Sequence, residues 1–151
     1  MVVEPEGKSM VTFYTTGDGN CGYRSLSTLL TGVEDYHWHI RLKIYEYISY
    51  NGENIYGIRS AELAREYYVK YQHLLNVPPQ PVNQDLYAGN DDFYALADML
   101  ECNIYTYTPD PLPSYPNVNS HFKDNIKING APTLFLMYLN NNHYEPIISF
   151  Q

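Results

Sequence analysis

Residues 17–25, Gly17-Asp18-Gly19-Asn20-Cys21-Gly22-Tyr23-Arg24-Ser25, decide how this chain is read. Upstream, Met10-Val11-Thr12-Phe13-Tyr14-Thr15 is β-branched and aromatic, the composition of a strand over 10–15. Downstream, Leu26, Leu29 and Leu30 recur at helical spacing until Gly32, which predicts a helix over 21–31. Two glycines and an Asp-Asn pair form a tight loop between them, and the loop delivers Cys21 to the first turn of that helix. A thiol there sees unpaired backbone N–H groups and the positive end of the helix dipole, both of which favour thiolate. Cys21 is therefore a candidate nucleophile.

Three other readings of the loop compete. Gly17-x-Gly19-x-x-Gly22 has the spacing of the dinucleotide-binding fingerprint, with Glu34-Asp35 as an acidic pair further on. That fingerprint needs a second parallel strand ending at the acidic residue, and here only Val33 separates Gly32 from Glu34. Asp18-x-Asn20 resembles the start of a calcium loop, but Tyr23 stands where the loop needs glycine and Leu29 where it needs a bidentate glutamate. The third reading is a cysteine buried for packing, the commonest role of a free thiol.

A nucleophilic thiol needs a base, and five histidines are available. His37 and His39 flank Trp38 in a second helix, two positions apart, and so face different ways; both read as exposed or partly buried helix residues. His73 falls late in a third helix, where a cation suits the dipole, and His121 falls in a loop. His143 opens the last strand, beside the most apolar strand of the chain. Glu145, two residues on, points to the same side of that strand and can accept from the imidazole Nδ1–H, fixing the tautomer. No metal-ligand spacing joins Cys21, Cys102 and the histidines, and nothing calls for a cofactor.

Along the chain, residues 1–9 read as a loose arm and 10–151 as one domain. Asp35 caps a second helix that ends near Asn51-Gly52, and 51–57 forms a polar joint. Ser60 caps a third helix over 61–75, with Leu63, Ala64, Tyr67, Tyr68, Tyr71, Leu74 and Leu75 on its apolar side. Pro78, Pro79 and Pro81 impose an extended connection. A fourth helix starts at Asp91, with Phe93, Leu96, Ala97 and Leu100 inward, and leads into a strand over 103–107. Residues 109–119, with four prolines, read as loop; 133–139 is a buried strand, Asn140-Asn141-Asn142 a hairpin turn and 143–150 the last strand. Helices first and strands last indicate an α+β domain, a small central sheet packed between helices.

Composition narrows the partners. The chain has 151 residues, 44% of them hydrophobic, enough for one core. A formal net charge of -8 with nine Lys and Arg leaves no basic stripe for nucleic acid and suits a basic protein partner instead. Two cysteines make no disulfide framework, which points to a reducing, intracellular setting. There is no membrane-length apolar run and no signal-peptide pattern.

Asp18-Gly19-Asn20-Cys21-x-Tyr23-Arg24 resembles the Asp-Gly-Asn-Cys-x-Phe/Tyr-Arg motif of the ovarian tumour (OTU) family of cysteine proteases. Asn142-His143-Tyr144 resembles that family's C-terminal histidine motif, and Asp92-Phe93-Tyr94-Ala95-Leu96-Ala97 with Ile104-Tyr105-Thr106-Tyr107 its middle helix-strand segment. The resemblance implies a papain-like α+β fold and a cytoplasmic, monomeric, thiol-dependent deubiquitinase that cleaves isopeptide bonds to ubiquitin, polyubiquitin or a ubiquitin-like modifier. Cys21 is then the nucleophile and His143 the base, and backbone N–H groups at Gly19, Asn20 and Cys21 form the oxyanion hole. Glu145 falls where the family often has Asn or Asp to orient the histidine, and Asp18 either shares that role or braces the loop. Gly22 and Tyr87 depart from the family's usual larger apolar residue and tryptophan. Asp85, Asp91, Asp92 and Tyr144 are the candidates for substrate contact, the acidic ones suiting arginines in the extended tail of ubiquitin. The rival reading is a module of the same fold that binds ubiquitin without cleaving it.

Overall fold

Helical and alternating periodicities divide the chain much as its apolar pattern predicts. The computed structural model describes residues 2–3, 10–55, 57–76, 81–109, 118–121, 128–139 and 143–150. The helices are α1 (Cys21–Thr31), α2 (His37–Ile55), α3 (Ile58–Tyr71) and α4 (Asn90–Leu100). The strands are β1 (Val2–Val3), β2 (Met10–Thr12), β3 (Asn103–Tyr107), β4 (Val118–His121), β5 (Thr133–Leu139) and β6 (His143–Phe150). They form one mixed sheet in the order β1-β2-β6-β5-β3-β4, in which β3 and β5 are parallel and the other pairs antiparallel.

Gly32 ends α1 in the left-handed conformation, with φ of 89° and its N–H on the Thr28 carbonyl. Along α2, Trp38, Leu42, Tyr45 and Ile48 recur at helical spacing and are buried. They meet α3 through Ala61 and Ala64, whose small side chains allow close approach, and through the ring pairs Trp38–Tyr71 and Tyr45–Tyr67. Leu26, Phe93, Leu96, Ile104, Leu136 and Tyr144 complete the main core between helices and sheet. The alternate positions of the strands, Met10, Met137 and Ile147 with Tyr107, Phe135 and Leu139 around them, form a second cluster of strand residues alone.

Several expectations are corrected. Val2–Val3, read as part of a loose arm, pair with Met10 and Val11 through a backbone ladder. The strand expected over 10–15 ends at Thr12. Helix α2 runs on to Ile55 through the expected polar joint, helped by Asn51 Nδ2 donating back to the Tyr47 carbonyl at 3.1 Å. Gly57 (φ 93°), not Ser60, then precedes α3, and Ser60 lies inside the helix. Leu63, Leu75 and Leu100 are exposed because they fall on the flank of the stripes their neighbours bury. Residues 118–121, partly read as loop, form β4 because they pair along β3. Residues 4–9, 77–80, 110–117 and the turn at 140–142 lie outside the described residues.

One of the most buried side chains among the described residues is charged. Arg41 of α2 is fully buried between the rings of Tyr23 and Trp38, 4.0 and 4.7 Å from their centroids. Its guanidinium donates to Tyr45 Oη (2.9 Å), to the Leu86 carbonyl and to Asn20 Oδ1 (2.7 Å). It thereby joins α2, the 3-10 turn Gln84–Leu86 and the loop before Cys21. Removing it takes away the donors to the Leu86 carbonyl and Asn20 Oδ1, and a lost hydrogen bond to a buried acceptor costs about 1–3 kcal/mol. Arg41→Ala is expected to lower unfolding free energy by about 3 kcal/mol in urea titrations, and Arg41→Lys to recover little, because an ammonium cannot reproduce the fork.

Candidate active site

The loop before α1 is built to hold a fixed shape. Gly19 has φ of 88°, and a Cβ there would lie 2.6 Å from a Tyr87 ring carbon and 2.8 Å from the Val82 carbonyl, so only glycine fits. Tyr87 thus closes over the loop. Val82 N–H donates to the Asp18 carbonyl at 3.0 Å. A Cβ on Gly22 would lie 2.5 Å from Ala88 Cβ, so the small residue at 22 matches the close approach of 88.

Asp18 braces this loop. Its carboxylate accepts from Arg24 Nε (3.1 Å) and Nη2 (2.6 Å) and from the Asn20 N–H (3.0 Å), while Arg24 Nη1 reaches Glu34 Oε1 (3.2 Å). Burial pushes the Asp18 carboxyl up, but the Arg24 fork and the Asn20 N–H together hold it below its ordinary value. These bonds commit Asp18 to Arg24 and Asn20 rather than to His143. They also engage the Asn20 N–H, which corrects its expected place among the oxyanion donors. The Asn20 side chain is likewise taken, by Arg41.

Cys21 is buried at the first turn of α1, and its Sγ accepts from the Tyr144 N–H at 3.4 Å. That contact brings the start of β6 against the helix N-terminus, and His143 with it. Burial pushes the Cys21 thiol up, outweighing the pull of the N–H groups of Tyr144, Gly22 and Cys21; the Asp18 charge adds to the rise. The N–H groups at the helix terminus thus favour thiolate as expected, and burial outweighs them. Thiolate at neutral pH here calls for a cation beside the sulfur.

His143 stands at the rim, its side chain one-fifth exposed. Its Nε2 lies 3.4 Å from Glu145 Oε2, without a directed hydrogen bond among the described residues. Nδ1 lies on the Gly17 side of the ring, 4.0 Å from a Cβ built on Gly17. Glu145 thus faces Nε2, where Nδ1 was expected. The second oxygen of Glu145, Oε1, accepts from Thr12 Oγ1 at 3.2 Å. Tyr14, four-fifths exposed, places its ring 6.2 Å from that of His143.

The substrate candidates fare differently. Tyr144 is buried against Phe93 and Tyr138, so its ring packs the core and its N–H holds the sulfur. Asp92 accepts from the Gly89 N–H at 2.8 Å and bonds Tyr23, facing inward at the start of α4. Asp91 is exposed, lining a small cleft of about 160 Å³ with Ser60, Tyr67 and Tyr87. Asp85 belongs to the turn Gln84–Leu86, and its side chain lies outside the described residues. Among the other histidines, His37 and His121 are buried, and burial lowers both to about 4. His121 sits in β4 beside Thr106 Oγ1 rather than in a loop.

Thr12, Arg24 and Arg41 do structural work that was not read from the sequence. A signal existed for Arg41, a charge on the stripe that Trp38, Leu42 and Tyr45 bury. None existed for Thr12, whose partner lies 133 residues away.

No family model matches the chain. It is 24% identical over 140 residues to OTU domain-containing protein 1 of Homo sapiens and of Mus musculus, covering 89% of this chain. The chain spans only about a quarter of the length of those relatives, 26% and 27%. Among solved structures, the viral OTU domain protease from Qalyub virus superposes with a TM-score of 0.67 at 14% identity, over 98% of this chain and 89% of that one. The Hazara virus OTU bound to ubiquitin superposes with a TM-score of 0.60 at 13% identity, over 99% and 87%. The class is thus an α+β domain carrying a cysteine at a helix N-terminus, held by the N–H of the second residue of the strand that His143 opens. Its fold is that of an OTU domain.

Asp92 provides a pH signature of this architecture. Burial raises its carboxyl from 3.8 to about 6, against the pull of the Gly89 N–H, Tyr23 and Arg41. The folded state therefore binds this proton more tightly than the unfolded one. Its favourable contribution is complete below the unfolded value and is lost as pH rises through about 6. Asp92→Asn is expected to gain about 1–2 kcal/mol relative to wild type between pH 4 and pH 7 in urea titrations; a constant difference across that range would contradict the assignment.

Proposed function

We propose that this chain is a thiol-dependent hydrolase of isopeptide bonds at the C-terminus of ubiquitin or a ubiquitin-like modifier. The observation that supports the reading is the Tyr144 N–H on Cys21 Sγ, which joins the residue after His143 to a thiol that needs a cation to ionise. Two further observations support it: the OTU-domain fold, and a fold neighbour from Hazara virus that is bound to ubiquitin.

In this mechanism the imidazole of His143 takes the thiol proton, and the Cys21 thiolate attacks the carbonyl carbon of the modifier's last residue. Backbone N–H groups of the loop and of Cys21 hold the oxyanion. The imidazolium gives its proton to the departing lysine amine as the C–N bond breaks, leaving a thioester. His143 then takes a proton from water, whose oxygen attacks the thioester, and returns a proton to the sulfur. Glu145 faces the far nitrogen of the ring and stabilises the imidazolium. A surface groove of about 570 Å³ is lined by Phe13, Tyr14, Val33, Asp35 and the ion pair of Arg24 with Glu34, and its exposed aromatic and aliphatic side chains suit an apolar segment. The reading includes action as a monomer in the cytoplasm, where Cys21 stays reduced.

Diubiquitin cleavage tests the reading. Cys21→Ala is expected to reduce turnover by more than about a thousandfold. Glu145→Gln is expected to lower kcat by roughly tenfold with little change in KM, because the carboxylate acts through the histidine. Retained cleavage by Cys21→Ala would contradict the nucleophile.

A further inference from the structure

A glutamate side chain has three rotatable bonds, so a fixed orientation of its carboxylate needs a holder. Three observations identify the holder. Oε2 faces His143 Nε2 at 3.4 Å, and Oε1 accepts from Thr12 Oγ1 at 3.2 Å. Both oxygens of one carboxylate are thus assigned. Glu145 is buried, so a free carboxylate head would have little water to compensate it.

The third observation is the register. Val11 pairs with Ser149, yet Thr12 pairs with Ile147, skipping Ile148. Paired residues in an antiparallel ladder point to the same face, and 145 and 147 share a face. In regular register Thr12 would oppose Ile148 and point away from Glu145. The bulge turns it onto the Glu145 face, and Ile148 is left part-exposed.

We infer that Thr12 is a positioning residue for the His143–Glu145 pair, delivered to it by the β2–β6 bulge. This rests on the hydrolase reading, in that the pair it positions is the one given the work of a base. The hydroxyl donates to Oε1, limits rotation of the carboxylate and leaves Oε2 directed at the imidazole. Among the described residues the other ionisable groups close to this assembly are Cys21, Tyr14 and, through the sulfur, Asp18.

The test is the pH profile of Cys21 alkylation by iodoacetamide in the full chain, with the modified peptide identified by mass so that Cys102 is counted separately. It reads the thiolate–imidazolium pair without a ubiquitin substrate. Thr12→Val, which keeps shape and removes the hydroxyl, is expected to slow alkylation near pH 6.5 by about tenfold, the scale of one hydrogen bond to a charged group. Thr12→Ser is expected to stay within about twofold of wild type, and Thr12→Val added to Glu145→Gln to change the rate by less than about twofold. Thr12→Ala repeats the comparison if Val packs badly. An unchanged profile in Thr12→Val or Thr12→Ala, or full additivity with Glu145→Gln, would overturn the role. Diubiquitin cleavage by the same proteins separates the two claims. An altered alkylation profile with no cleavage by wild type would sustain Thr12 and remove the substrate. Cleavage by wild type with an unchanged profile in Thr12→Val would sustain the hydrolase and remove Thr12.

Discussion

A single buried guanidinium organises this domain. Arg41 lies between two aromatic rings and spends its N–H groups on Tyr45, on the carbonyl of Leu86 and on Asn20. Burying such a charge is costly unless its hydrogen bonds are met; two of them, to Asn20 and Leu86, come from segments far apart in sequence, and only Nε finds no partner among the described residues. The energetic demand of Arg41 therefore becomes a constraint on geometry. The loop before Cys21 and the turn before α4 must both come to α2. The ion pair between Asp18 and Arg24 and the tight fit at Gly19 then fix the loop's own shape.

The consequence for chemistry is a cysteine held but not activated by its loop. Burial opposes ionisation of Cys21 more than the surrounding N–H groups promote it. In the proposed mechanism activation comes from the imidazole of His143, which β6 carries next to the residue whose N–H meets the sulfur, and that imidazole depends on what faces its far nitrogen. Glu145 does so, with its other oxygen tied to β2. The site is thus assembled from three places: a helix terminus, the start of one strand and the end of another.

What was legible in the sequence follows from how local each feature is. The loop, the stop at Gly32 and the strand after the apolar run depend on neighbours in the chain, and residues 17–32 and 133–150 show them directly. Cys21 at the start of a helix and His143 at the start of the last strand were legible as positions, because the loop and the apolar run beside them are local features. The role of Asp18 was ambiguous until its partner was seen, since a carboxylate near a cysteine serves equally to brace or to orient. Tyr144 looked available beside the histidine, but strand alternation turns its ring into the core. Thr12 was invisible because a bulge changes which face a residue points to, and no spacing rule reports a bulge. Helix α2 runs past Asn51-Gly52, two weak helix formers, as the continuation of turns that pack against α3 through Trp38 and Tyr45.

The central claim is that Cys21 acts as a nucleophile towards the C-terminus of ubiquitin. Intact-mass measurement of the wild-type chain after incubation with ubiquitin carrying a C-terminal electrophile addresses it most directly. The account predicts a one-to-one covalent adduct whose cross-linked peptide contains Cys21, absent from Cys21→Ala. Ubiquitin that binds without a covalent adduct, or an adduct mapping to Cys102, would contradict it and favour a binding module.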